Sequence, residues 1–248
     1  MIPKIVHYIW FGRNPYPPKV QHCIESWKRH LSDYKFMLWN EDSFDVDSCK
    51  FTRQAFDNKK WAFVSDYVRI YALYNFGGWY LDTDVEIVRP LDSFENNKIV
   101  LGVDENGALT ALMGSEKGHP FWKTILDKYN SMYFVLDNGK LNMTVNNIYI
   151  QKELSKYGYQ IKNEYQELKD GIYVYPDDYF HVAWLERGKI HFTKNTYAIH
   201  WHTLLWTSKR SHYLRFFRIY IMKPILGEKH FLTIYYKLKS FFHNYFHI

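Results

Sequence analysis

In the stretch GGWYLDTDVE, residues 77–86, two carboxylates, Asp82 and Asp84, stand one residue apart behind the apolar run Trp79, Tyr80 and Leu81. In an extended segment residues i and i+2 leave the same face. Two like charges held that close repel unless a cation lies between them. A hard divalent ion, Mg²⁺ or Mn²⁺, suits such a pair, because it takes few protein carboxylates and completes its shell with phosphate oxygens and water. The carboxyl ends of strands in open α/β sheets are where ligands bind. The pair therefore reads as a metal clamp for a diphosphate. Taken alone, D-x-D is a weak signal and more often marks a solvated turn. The apolar flank argues against that, since carboxylates next to a buried strand are costly without a partner.

Upstream, SDYVRIYALYNFGG places Asp66 and Arg69 at i and i+3, on one helix face. A carboxylate and a guanidinium so arranged bind sugar hydroxyls or form a structural ion pair. Far downstream, YAIHWHTLLW brings His200 after a short apolar strand, with His202 two residues on and able to share its face. A neutral imidazole there is a ligand for a divalent metal or a satisfied core residue.

These residues need a scaffold. KIVHYIWFG is β-branched and aromatic and predicts a first strand. From Pro18, residues Val20, Cys23, Ile24, Trp27 and Leu31 follow helical spacing, with Pro18 in the first turn. YKFMLW predicts a second strand. This βαβ order implies a mostly parallel sheet. Residues 60–76 are apolar nearly all round and predict a buried helix, with Gly77 as its left-handed cap. WYLDTDVEIV predicts strand, acidic break, strand. KIVLGVDENG and ALTALMG predict two more strands. Helices are expected over about 120–129 and 145–156, and late strands at GIYVYP and YAIHW.

With 248 residues, 47% of them apolar, the chain is long enough for a sizeable core and is not a disordered protein. Tyr, Phe and Trp number 22, 18 and 9, suiting both a core and a site that stacks on sugars or bases. Cys23 and Cys49 make neither a metal spacing nor a disulfide framework, which fits a reduced, cytoplasmic setting. The first residues lack signal-peptide architecture, and no run of apolar residues is long enough to span a membrane. Residues 209–248 hold eight Lys or Arg against the single acid Glu228, more than the whole chain's surplus of +6. Residues 1–208 are thus expected as the catalytic domain and 209–248 as a basic amphipathic helical tail. Leu214, Phe217, Ile221 and Ile225 fall at helical spacing there. Basic residues beside aromatics suit an anionic membrane surface, at the inner face of the cell membrane, or packing on the catalytic domain. The acidic balance of residues 1–208 and the lack of a nucleic-acid motif exclude nucleic-acid binding.

Three blocks, IPKIVHYIWFG, WAFVSDYVRIYALYNFGGWYLDTDVEIVRPLD and YAIHWHTLLW, run in order from residue 2 to about 206. They resemble the DXD-containing sugar transferases of glycosyltransferase family 32. That group includes fungal initiating mannosyltransferases and bacterial capsular polysaccharide transferases, with glucosylating toxin domains as distant relatives. The resemblance implies a Rossmann-like GT-A fold, a UDP- or GDP-sugar donor, a glycan acceptor with or without a lipid carrier, and transfer with retention in capsular or surface polysaccharide synthesis. It implies that Asp82 and Asp84 hold Mn²⁺ or Mg²⁺ with the ribose and phosphates, Asp84 as the direct ligand, and that His200 completes the metal site or touches the diphosphate. It places Asp66 and Arg69, with Ser65 beside them, on the donated sugar, and the Trp10 ring against the base. Trp206 would donate its indole N–H to a phosphate oxygen. The family often has Ser where this chain has Leu205, so a hydroxyl contact to phosphate would fall to Thr203 or Thr207. It often has a Gly-Pro turn near Thr144, where this chain reads MTVNNIY; Asn146 or Asn147 would face the sugar.

Two other readings compete. A D-x-D phosphatase also places its motif after an apolar strand, but expects Thr or Val where this chain has Glu86, and expects the motif near the start of the domain. A non-catalytic carbohydrate- or membrane-binding protein would keep the fold without needing both carboxylates.

Overall fold

The β-branched and aromatic residues Ile5–Ile9 form β1, which pairs in parallel with β2 (Lys35–Trp39), from Ile5 opposite Lys35 to Ile9 opposite Trp39. The connection is α1 (Pro18–His30), whose Pro18 opens the first turn and whose Lys28, Arg29 and His30 sit at the negative end of the helix dipole. Its Val20, Cys23, Ser26 and Trp27 are buried, the period expected of a helix lying on a sheet. This is a computed structural model, and it describes residues 1–104, 107–182, 190, 192–203, 213, 217–227, 230, 231, 233 and 234.

The chain continues through α2 (Lys50–Asp57), which the sequence reading did not anticipate, into α3 (Trp61–Phe76). Helix α3 is buried on most of its surface, as its apolar composition requires, and Asp66 and Arg69 are buried with it. Gly77 ends α3, but not as the left-handed cap expected. Its φ of 66° is paired with a ψ of −165°, so the chain leaves the helix extended and enters β3 (Gly78–Leu81) at once. A Cβ on Gly77 would lie 2.7 Å from the Lys117 amide nitrogen, and one on Gly78 2.6 Å from the Ile5 carbonyl oxygen. The two glycines are needed for that close passage.

Strand β4 (Val85–Ile87) follows β3 after a turn, then β5 (Ile99–Asp104) and β6 (Gly107–Ser115). Helices α4 (Pro120–Asn130) and α5 (Asn146–Leu154) precede β7 (Gln166–Glu167), β8 (Ile172–Tyr175), the short α6 (Asp177–Phe180) and β9 (Ala198–His200). Seven strands form one sheet in the order β2-β1-β3-β6-β5-β8-β7, and β4 with β9 forms a second. Strands β2, β1, β3, β5 and β8 share one direction; β6, inside the sheet, and β7, at its edge, run against it. The α/β arrangement expected from sequence is therefore the one observed, with its parallel character interrupted by β6.

Alternation along the strands divides the core between two faces. Tyr80 and Ile99 join the layer of α2, α3, α4 and α5, while Trp79, Leu81 and Val100 join the layer of α1. Polar contacts tie α1 to the small sheet: Trp27 Nε1 donates to the Val85 carbonyl at 2.7 Å, Ser26 Oγ accepts from the Ile87 amide at 2.9 Å, and His22 Nε2 lies 3.1 Å from Glu86 Oε1. Helix α1 thereby braces the strand that follows the acidic motif.

The chain divides into two compact units, residues 1–182 with 192–201 and residues 183–191 with 202–248. The first holds both sheets. Among the described residues of the second, Arg218–Met222 form a π-helical turn and Lys223–Leu226 a helix with Pro224 in its first turn. There Phe217, Ile221 and Ile225 are exposed; Leu214 lies outside the described residues. No described helix is long and apolar enough to cross a membrane.

Candidate active site

The acidic motif sits where β3 ends, and it is a turn: the Val85 amide donates to the Asp82 carbonyl at 2.9 Å. The extended-strand argument for a shared face is thus corrected. What brings the two carboxylates together is the turn and the pairing of β4 with β9. That register sets Val85 opposite His200, and the Trp201 amide donates to the Asp84 carbonyl at 3.0 Å. His200 Nε2 lies 3.5 Å from Asp84 Oδ1. One ligand atom each from Asp82, Asp84 and His200 lies within 4.8 Å of the others.

On the other side stands α3. Arg69 points a guanidinium nitrogen at both Asp66 Oδ1 and Asp82 Oδ1, each at 3.4 Å. Its Nε donates to the Ser65 carbonyl at 3.3 Å and its other nitrogen to the Thr110 carbonyl at 3.0 Å. The guanidinium lies 4.6 Å from the centre of the Tyr80 ring. The Tyr80 hydroxyl in turn donates a very short hydrogen bond to Asp82 Oδ1. Asp66 receives the Asn146 amide on Oδ2 at 3.2 Å, and Asn146 Nδ2 reaches the Asp66 carbonyl at 3.5 Å. The ion-pair and sugar-binding readings of Asp66 and Arg69 are therefore not exclusive, because Arg69 links the helix carboxylate to the motif.

Two carbonyls that serve this site come from an irregularity. Strand β6 pairs Met113 with Leu101 but Leu109 with Gly102, so residues 110–112 bulge away from β5. The bulge turns the Thr110 carbonyl to Arg69, and the Ala111 carbonyl accepts from the Asp82 amide at 2.7 Å. Bulges of this kind re-aim backbone groups beside active sites.

Electrostatics follow from burial. Asp66 is pushed up to about 6 by burial, against the pull of Arg69 and the Asn146 amide. Burial also raises Asp82; Arg69 opposes it, the Asp84 charge adds to it, and His200 and the Tyr80 hydroxyl oppose it. Burial lowers His200, but Asp84, then Asp82 and Asp104, outweigh it, and the imidazole ends above its usual value. An acid raised by burial and by its neighbour's charge, and an imidazole drawn up by three acids, form a site short of positive charge. Two carboxylates and one imidazole fit a hard divalent ion such as Mn²⁺ or Mg²⁺.

Ser65 lends its carbonyl to Arg69, while its hydroxyl donates to the Trp61 carbonyl at 3.0 Å. Trp10 follows β1. Since His7 pairs with Tyr80, it lies at the same sheet edge as the motif. Its indole nitrogen donates to the Asn14 carbonyl at 2.6 Å, and its ring meets Tyr16 edge-on at 5.1 Å. Asn147 Oδ1 is buried with no hydrogen-bond partner among the described residues. Trp206, Leu205 and Thr207 lie outside the described residues, and His202 belongs to the second unit. Sequence reasoning missed Tyr80 and the Thr110 carbonyl. Tyr80 stands two residues before Asp82, so the period of the strand could have found it. No side chain signals the bulge.

Residues 17–101 match the family described as the glycosyltransferase sugar-binding region containing a DXD motif. The chain is 33% identical over 125 residues to inositol phosphoceramide mannosyltransferase 3 of Schizosaccharomyces pombe, covering 48% of this chain and 35% of that protein. It is 24% identical over 238 residues to inositol phosphoceramide mannosyltransferase 2 of the same yeast, covering 86% of this chain and 64% of that one. The chain thus spans less than two thirds of the length of these relatives. Among solved structures, PaToxG glycosyltransferase is similar with a TM-score of 0.49 and 17% identity, over 63% of this chain and 70% of that one.

Proposed function

We propose, from the match of residues 17–101 to the glycosyltransferase sugar-binding region containing a DXD motif, that this chain transfers a hexose from a UDP- or GDP-sugar to a glycan acceptor. The observation that carries the reading is one continuous arrangement. The cluster of Asp82, Asp84 and His200 is joined through Arg69 to the buried Asp66. Asp82, Asp84 and His200 would hold Mn²⁺ or Mg²⁺. When bound, such an ion supplies positive charge to the diphosphate that departs from the sugar.

The chain's own groups do the rest. Asp66, pinned by the Asn146 amide, and Arg69 orient the sugar hydroxyls, and Tyr80 and Arg69 fix the Asp82 carboxylate. The Trp10 ring lies against the base. Asp66 is tied on both oxygens, one facing the Asn146 amide and the other Arg69, so it is a poor nucleophile. This supports same-face attack with retention. The acceptor oxygen bonds to the anomeric carbon as the carbon–oxygen bond to the diphosphate breaks. The electron pair leaves with the diphosphate, and a phosphate oxygen takes the acceptor's proton. The relatives are named for mannose transfer to inositol phosphoceramide, which supports a hexose donor and a lipid-linked acceptor here.

The test is a nucleotide-sugar panel scored for hydrolysis with Mn²⁺ and with chelator, beside thermal stabilisation by Mn²⁺ and nucleoside diphosphate. Replacing Asp82 and Asp84 together by Ala is expected to cut Mn²⁺-dependent hydrolysis by on the order of a thousandfold and to abolish the stabilisation. Equal turnover by that variant would overturn the reading.

A further inference from the structure

From the end of α4 into the first turn of α5 the chain displays a run of exposed apolar side chains: Tyr133 (49%), Leu136 (41%), Met143 (52%), Val145 (42%) and Ile148 (47%). They are not on a loose loop. Phe134 is fully buried against Phe51 and Phe63, and Gln54 Oε1 accepts from the amides of Phe134 and Val135 at 2.9 and 3.0 Å. Residues 134–142 fold back on themselves: the Leu136 amide donates to the Lys140 carbonyl at 2.8 Å, and the Asn142 amide to the Phe134 carbonyl at 2.7 Å. The apolar groups are therefore held outward by a built scaffold.

Lysines lie on the same and neighbouring elements. Lys50 lies 5.5 Å from the centre of the Tyr133 ring, and Lys128 4.2 Å from that of Tyr149 on α5. Partial burial lowers Lys128, and Lys152 lies near enough to help lower it, while Lys156 nearby is paired with Glu153 at 2.6 Å. Lys140 stands exposed in the turn, beside Asp137, the acid of that turn. Val145 and Ile148 flank Asn146, whose amide holds Asp66 of the sugar site. The surface is thus the rim of the candidate active site.

We propose that residues 132–148 form a membrane-docking lip that seats this rim on an anionic phospholipid bilayer. The inference rests on the lipid-linked acceptor of the proposed function, and it gives that acceptor its direction of approach. Apolar and aromatic side chains enter the interface while long lysine stems keep their ammonium groups at the phosphates, the pattern of interfacial anchors. A protein partner with an acidic apolar groove would match the same side chains. What favours the bilayer is the fixed outward display around Asn146, at the site where a lipid-borne acceptor must arrive.

The test uses the full chain with phosphatidylcholine vesicles that contain or lack phosphatidylserine. Combining Leu136→Asp, Met143→Asp and Ile148→Asp is expected to lower partition onto the anionic vesicles by about tenfold or more. The thermal midpoint and Mn²⁺-dependent hydrolysis of soluble nucleotide sugar should stay at parental values. A second measurement separates the lip from the basic tail. With Cys23 and Cys49 both buried, Leu136→Cys can be labelled selectively with an environment-sensitive fluorophore. Quenching by a nitroxide-bearing lipid is expected. An unquenched label, or undiminished partition of the triple variant, overturns the proposal. Quenching without any sugar hydrolysis would uphold docking and sink the transferase reading instead.

Discussion

Asp82 and Asp84 are one residue apart, yet they belong to two different parts of the fold. Asp82 ends a strand of the large sheet and is fixed from the α3 side, by Arg69 and by Tyr80. Asp84 begins the small β4–β9 sheet and faces His200. Helix α1 braces that small sheet through Trp27 and Ser26. The Asp82 side chain keeps 27% of its exposure and that of Asp84 only 12%. The motif is therefore a seam. Helix α3 would supply the proposed sugar-orienting charges, and the small sheet the proposed nitrogen ligand. A cation would close it, because each carboxylate carries constraints the other lacks.

Cutting the α3 side should show most in stability. Arg69→Ala leaves Asp66 buried beside Asp82 without their shared cation and leaves the Thr110 carbonyl unpaired. A loss of roughly 3–5 kcal/mol in urea unfolding is expected. If stability falls by less than about 1 kcal/mol, the guanidinium does not join the two regions.

The next effect is a pH dependence on the same side. Asp66 is raised to about 6 from 3.8 in the folded chain. Between those values the native state binds the extra proton, so stability falls as pH rises from about 4 to about 6 and is level above that. The shift corresponds to about 3 kcal/mol at ~1.4 kcal/mol per pH unit. Asp66→Asn should flatten this part of the curve, as read by denaturant midpoints across pH. Ionised Asp66 is also the better acceptor for sugar hydroxyls, so donor binding should weaken as pH drops below about 6. A wild-type stability profile with the opposite slope would contradict the burial argument.

Cutting the small-sheet side should be milder on the fold and specific to the metal. His200→Ala is expected to raise the Mn²⁺ concentration needed for half-maximal nucleotide-sugar hydrolysis by roughly 10- to 100-fold, while the thermal midpoint without metal changes little. An unchanged Mn²⁺ requirement would remove His200 from the metal site and confine the clamp to the two carboxylates.

How much of this was legible can be argued residue by residue. The buried helix with Asp66 and Arg69 was readable because an all-round apolar segment can only sit in a core, and two charges within it need partners. Strands β1, β2, β3 and β8 were readable from β-branched and aromatic runs. Helix α2 escaped because its apolar positions, Phe51, Ala55 and Phe56, are few and follow Asp- and Ser-rich turns. The face-sharing argument for the motif was wrong in its geometry, although the two carboxylates do come together, beside His200. The turn at Asp82 depends on a backbone hydrogen bond and on a strand more than a hundred residues away.

The sequence by itself determined which groups carry charge, where the apolar periods lie, and that the buried helix ends at Gly77. It determined, too, that the motif follows a buried strand. Only the tertiary structure decided that Arg69 would bridge Asp66 to Asp82, that a bulge in β6 would aim a carbonyl at that bridge, and that β9 would deliver His200 to Asp84. The physical reason is range. Periodicity and turn chemistry are local, fixed by a few neighbouring residues. Ion pairs, bulges and ligand clusters depend on strand register and on the burial created by distant segments.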